Sequence, residues 1–117
     1  MFRNVGDAKV NAARSQIEMF GIALESYRLD NAVYPSTQQG LAALRTIPTA
    51  GERPTNWRGP YLRRAVPLDP WGRAYVYTAP GSENPEQFDL LTFGRDGKTG
   101  GNGEDADITS WGESPRR

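Results

Sequence analysis

Apolar residues recur at Val10, Ala13, Ile17, Phe20, Leu24 and Tyr27, in alternating steps of three and four. That spacing lines one face of an α-helix. Arg14, Glu18, Glu25 and Arg28 take the other faces. The pattern predicts a helix from about Gly6 to Asn31, with Asn4 or Asp7 as candidate caps. Val33-Tyr34-Pro35 is expected to end it, because the residue before a proline is pushed out of the helical region. Some 26 residues is the upper edge for an ordinary globular helix, so it is expected to be the lower part of a longer one.

The pattern then changes. Ser36-Thr37-Gln38-Gln39-Gly40 leads into Leu41-Ala42-Ala43-Leu44, which predicts a short second helix stopped before Pro48, and 48–60 is a Pro-, Thr-, Gly- and Arg-rich loop. Tyr75-Val76-Tyr77-Thr78 and Phe88-Asp89-Leu90-Leu91-Thr92-Phe93 carry the aromatic and β-branched bias of strands. The turn residues of Ala79–Pro85 between them make an antiparallel hairpin the economical pairing. From Gly94 to Asp107 the chain is glycine and acid, and Ile108 and Trp111 return it to the core.

Composition narrows the chemistry. The chain has 117 residues, which suits one domain, and only 37% are hydrophobic. Thirteen glycines and nine prolines exceed the usual combined share of roughly 12%, which points to one modest core in turn-rich chain. Fourteen basic residues balance 14 acidic ones, so no global field draws the protein to nucleic acid. There is no histidine and no cysteine. That removes the usual general base near neutral pH, thiol chemistry, disulfides and the common ligands of zinc. A bound metal must use oxygen ligands, which points to calcium or magnesium. No apolar run approaches the roughly 20 residues of a membrane span.

The sharpest candidate is Gly94-Arg95-Asp96-Gly97-Lys98-Thr99-Gly100-Gly101-Asn102-Gly103-Glu104-Asp105-Ala106-Asp107. Five of the residues from 94 to 103 are glycine, which frees the backbone to turn carbonyls inward. Asp96, Glu104, Asp105 and Asp107 repel one another unless a cation sits among them. Calcium takes six to eight oxygens from carboxylates and carbonyls, and this loop offers both. The competing reading is a solvated acidic loop; anchorage by Ile108 and Trp111 gives the cation reading equal standing. The EF-hand spacing fails at Lys98 and Gly100. The β-roll pattern at Gly100–Asp105 occurs once and lacks the stack that such repeats need.

Glu25, Asp30, Asp69 and Asp89 could be paired as glycosidase carboxylates, but scattered acids are the norm on a soluble surface and the small domain leaves little room for a cleft. Val33–Thr37, Trp57–Leu62 and Asp69-Pro70-Trp71-Gly72 each join a large ring to a turn former. Such rings serve as stacking platforms or, more commonly, pack the corners of a small core.

Together these segments resemble the major pseudopilins of the bacterial type II secretion system, from about Lys9 to Trp111. The resemblance rests on Tyr27-Arg28-Leu29-Asp30-Asn31, Tyr34-Pro35-Ser36-Thr37-Gln38-Gln39-Gly40-Leu41, Gly59-Pro60-Tyr61-Leu62, Pro67-Leu68-Asp69-Pro70-Trp71-Gly72, Gly94-Arg95-Asp96-Gly97, Gly100-Gly101 and Ala106-Asp107-Ile108, in that order and spacing. It implies an α+β, type IV pilin-like fold: a long N-terminal helix packed on a small antiparallel sheet, with a C-terminal calcium loop. It implies no enzymatic activity. Subunits of the family polymerise through an apolar upper helix into a periplasmic pseudopilus that drives folded proteins through the outer membrane. The implied partners are further copies of the chain, minor pseudopilins, the inner-membrane assembly platform and a prepilin peptidase, with N-methylation after cleavage and no nucleic acid. The implied location is the periplasmic face of the inner membrane, with the full-length protein anchored by one span before assembly. The cleavage site and apolar segment are missing, so this chain is expected to be a soluble, truncated form.

The resemblance also implies a Ca²⁺ site. Asp96 matches the first loop aspartate of the family, Phe93 and Lys98 stand where backbone carbonyls contribute, and either Asp105 or Asp107 supplies a second carboxylate. The expected organisation is one periplasmic domain over 1–117: helix 1–31, connecting segment with a short helix 32–72, β-hairpin 73–93, calcium loop and return to the core 94–111, tail 112–117. Two other readings remain: a secreted calcium-dependent carbohydrate-binding module using Trp57, Trp71 and Trp111, and a pilin of a type IV pilus or competence system.

Overall fold

A computed structural model describes residues 5–112. Its elements are α1 (Val5–Asn31), a 3₁₀ turn at Leu41–Leu44, β1 (Val76–Thr78), β2 (Asp89–Thr92), a 3₁₀ turn at Gly103–Asp105 and β3 (Ile108–Thr109). The predicted tail lies, apart from Gly112, outside the described residues, as does Asn4.

The helix buries the stripe that its spacing predicts. Ala13, Ile17, Phe20, Leu24 and Tyr27 are buried, joined by Ala23 and Asn31, while Val10 packs at the margin of the core. The helix ends at Asn31, as predicted, but by a different device. It stops after Asn31 because Ala32 turns into the left-handed region at φ 71°, donating its N–H to the Arg28 carbonyl at 2.7 Å. The chain has left the helix before Pro35 acts on it. Asn31 then ties that end to the following loop: its Nδ2 donates to the Tyr27 carbonyl and its Oδ1 accepts from the Asn56 N–H at 3.1 Å.

The connecting segment is organised by local caps. Ser36 Oγ accepts from the Gln39 N–H and Gln39 Oε1 from the Ser36 N–H, a reciprocal pair resembling a capping box. Gln39 Nε2 donates to the carbonyls of Ala50 and Glu52, which fastens the loop beyond. The predicted second helix is a single 3₁₀ turn whose Leu41, Ala43 and Leu44 are buried.

The predicted hairpin forms, with Val76 opposite Leu91 and Thr78 opposite Asp89. The sheet gains a third antiparallel strand: β3 pairs with the far edge of β2, Leu91 opposite Thr109 and Thr92 opposite Ile108. The helix lies on this sheet through Phe20, whose ring meets Tyr75 edge-on at 5.2 Å, and through the Tyr75 hydroxyl, which donates to Gln16 Oε1. Tyr77 and Leu90 complete the sheet side of the core. The order β1-β2-β3 leaves the whole acidic loop as the connection from β2 to β3.

Candidate functional site

The loop from Phe93 to Asp107 leaves the sheet at β2 and returns at β3, so both ends are held by neighbouring strands. Its own closure is a backbone hydrogen bond from the Arg95 N–H to the Glu104 carbonyl at 2.9 Å. Gly94 at the entrance has φ 79°, and a Cβ there would stand 2.7 Å from the Ala106 carbonyl oxygen. Only glycine lets entry and exit approach this closely.

The predicted site residues fall along this loop. Phe93 is half-buried beside β2; Asp96 and Lys98 are exposed; Asp105 and Asp107 are half-buried on the return path. Asp96 Oδ1 accepts from the Lys98 N–H at 3.0 Å. Asp107 reaches back across the loop, both carboxylate oxygens 3.1 Å from the Gly100 nitrogen. Asp105 is engaged otherwise: Arg95 Nε and Nη2 donate to its two oxygens at 2.9 and 3.0 Å. This pair and Glu104 raise the Arg95 guanidinium above its usual range, the Asp105 hydrogen bond being the largest cause.

Sequence reasoning missed the partners that hold the loop. Arg95 as the counter-ion of Asp105 is one. The Asp69–Arg73 turn is another: Trp71 Nε1 donates to Glu104 Oε2 at 2.9 Å, and Arg73 Nη1 donates to the carbonyls of Gly94 and Arg95, each at 3.2 Å. Asp69-Pro70-Trp71-Gly72 stood out as a turn, but its contacts span more than twenty positions and leave no local signal.

Among the described residues no three acidic side chains converge on one point. The loop therefore offers a cation separate carboxylates and backbone carbonyls, oxygen donors throughout, which fits a hard ion such as Ca²⁺. Trp57 and Trp71 pack inward. Trp57 Nε1 donates to the Ala43 carbonyl at 2.8 Å and its ring meets Tyr61 edge-on, while Trp71 packs against the core. Trp111 Nε1 is buried without a partner among the described residues. The Trp57 and Trp71 rings pack corners of the fold.

The chain matches over residues 1–111 the family model described as type II secretion system protein G. It is 49% identical over 104 residues to the type II secretion system core protein G of Pseudomonas aeruginosa, covering 89% of this chain and 72% of that protein. The Vibrio cholerae core protein G is 51% identical over 90 residues, 76% of this chain and 59% of that protein. The Escherichia coli K12 core protein G is 38% identical over 114 residues, 97% of this chain and 75% of that protein. A crystal structure of the major pseudopilin from the type 2 secretion system of enterohaemorrhagic Escherichia coli is similar at a TM-score of 0.71 and 39% identity, covering 95% of this chain and 96% of that one.

Proposed function

The chain belongs to the type II secretion system protein G family, and from that premise we propose that it is a structural subunit of the pseudopilus. The observation that carries this reading is the agreement, over nearly the whole chain, with the fold of a major pseudopilin: one long helix on a three-stranded antiparallel sheet. The role is assembly into a fibre that moves folded proteins outward, not catalysis. Its partners are other copies of itself, the minor pseudopilins and the inner-membrane assembly platform, with a prepilin peptidase acting on the precursor. Its place is the periplasmic face of the inner membrane. Among the described residues no helix is long and apolar enough to cross a membrane. The chain covers 72% and 59% of the lengths of the Pseudomonas aeruginosa and Vibrio cholerae relatives.

The same reading places one Ca²⁺ in the loop. Asp96 and Asp107 would hold it by carboxylate, with the backbone carbonyls of Phe93 and Lys98. Asp107 is preferred to Asp105 because Arg95 occupies both oxygens of Asp105. Bound calcium supplies positive charge that offsets the repulsion among the loop acids. The residues themselves shape the loop: Asp96 turns it at Lys98, and Asp107 folds it back onto Gly100.

The test is complementation. A bacterium lacking its core protein G receives a hybrid in which this chain follows the N-terminal segment of the missing protein. Restored export of the folded substrate, with pseudopilus fibres on overproduction, is the expected result. A hybrid that accumulates to normal levels and leaves export at the deletion baseline would overturn the reading.

A further inference from the structure

The Asp69–Arg73 turn grips the acidic loop at both its entrance and its exit. Asp69 is buried, at 5% exposure. Its Oδ1 accepts the N–H groups of Trp71 and Arg73, each at 2.9 Å, and its Oδ2 accepts the Thr92 hydroxyl at 2.6 Å. With its single proton committed to Asp69, the Thr92 oxygen accepts the Gly94 N–H at 3.2 Å. This relay sets Gly94, at the loop entrance, from a carboxylate that lies outside the loop. Arg73 supports the same entrance through the carbonyls of Gly94 and Arg95. Its guanidinium also fills the space over Gly97, where a Cβ would stand 2.7 Å from the Arg73 Cζ. The exit is held by Trp71 Nε1 on Glu104 Oε2.

The geometry points to a positioning role for this turn: Asp69, through Thr92, and Trp71, through Glu104, set the width of the loop mouth before any cation arrives. The cation arm of this inference rests on the calcium reading above; the mechanical arm does not. Groups that orient ligands from behind typically change metal affinity by about 10- to 100-fold when removed. The turn acts on the backbone at Gly94 and on the return path at Glu104, so its integrity sets how well the loop oxygens are prearranged.

Two conservative variants separate the contributions in the 117-residue chain. Trp71→Phe keeps a ring and removes the Nε1 donor; Thr92→Val keeps the shape and removes the relay. Thr92→Ser restores the hydroxyl. Trp57→Phe is the control, since its Nε1 bonds to Ala43, which lies outside the loop. Two quantities are read in metal-stripped protein: the rate of tryptic cleavage after Arg95 and Lys98 in chelator, and the calcium Kd by calorimetry. Trp71→Phe and Thr92→Val are expected to be cleaved faster and to bind Ca²⁺ about tenfold more weakly. Thr92→Ser is expected to return both toward wild type, and Trp57→Phe to change melting temperature alone. Faster cleavage in a chain that binds no calcium would remove the calcium reading and leave the clasp standing. Folded variants cleaved at the wild-type rate would overturn the clasp, and faster cleavage with unchanged Kd would overturn its cation arm.

Discussion

Arg95 holds Asp105 in a two-point grip, Nε to Oδ1 at 2.9 Å and Nη2 to Oδ2 at 3.0 Å. Paired guanidinium–carboxylate geometry is directional and occupies both oxygens. Asp107, two positions on, has no guanidinium partner among the described residues and lays both oxygens against the Gly100 N–H. The two aspartates, indistinguishable by spacing, thus have different work.

That difference is a prediction about calcium. A ligand that binds only the folded state at a hundredfold excess over its Kd stabilises it by about 2.7 kcal/mol, roughly 10 °C in melting temperature at this size. Wild type is expected to show that gain over chelated protein, and Asp105→Asn to keep it. Asp96→Asn and Asp107→Asn should lose it. Differential scanning calorimetry with calcium and with chelator is the measurement; a gain lost in Asp105→Asn and kept in Asp107→Asn would reverse the assignment.

The helix end makes a second prediction. Ala32 sits at φ 71°, where a Cβ is strained and glycine is not. Ala32→Gly is expected to stabilise the fold by about 0.5–1 kcal/mol, less than the full strain because glycine also loses more freedom on folding. A urea melt that shows destabilisation would mean the left-handed turn is not retained in solution.

The helical stripe was legible because burial on a helix follows its period, and Ala13 through Tyr27 obey it. Ala23 went unpredicted because a small residue beside Leu24 adds little to the pattern, though it is buried. β3 was visible only as a return to the core, since the two residues Ile108 and Thr109 are too short to show alternation. The sequence points to Pro35 as the helix stop because an alanine in the left-handed region, the actual stop at Ala32, carries no sequence signature. The loop itself stood out by composition. Its supports did not, because Trp71 meets Glu104 and Asp69 meets Thr92 only once the sheet has formed.

Two apolar residues on one helix test the core directly. Leu24 is fully buried and Ile22 is 72% exposed. Leu24→Ala is expected to cost about 2–5 kcal/mol through lost contacts and the cavity left behind. Ile22→Ala should fall within about ±0.5 kcal/mol. Equal shifts in the denaturation midpoint for the two variants would mean that the helix rotates relative to the sheet.

The last prediction concerns acid. Tyr34 donates its hydroxyl to Glu25 Oε2 at 2.5 Å, and Arg28 donates to Oε1 through Nε at 3.1 Å and Nη2 at 3.0 Å. The Tyr34 hydrogen bond is the main cause holding the Glu25 carboxyl below its ordinary value; burial opposes it, and Arg28 assists. A carboxyl harder to protonate in the fold than in the unfolded chain stabilises the fold fully above its unfolded value. That contribution disappears as pH falls through the lower, folded value. Both partners of the Glu25–Arg28 pair are nearly half exposed, so solvent screens their attraction and the pair adds little to stability. Tyr34→Phe removes the hydroxyl and keeps the ring that packs edge-on against Phe88 at 5.1 Å. The Glu25 side-chain resonance is expected to titrate at higher pH in Tyr34→Phe than in wild type, and the share of stability that Glu25 loses in acid to shrink. In Glu25→Gln this part of the acid dependence should be absent. An unchanged Glu25 titration in Tyr34→Phe would show that the hydroxyl does not hold the carboxylate in solution.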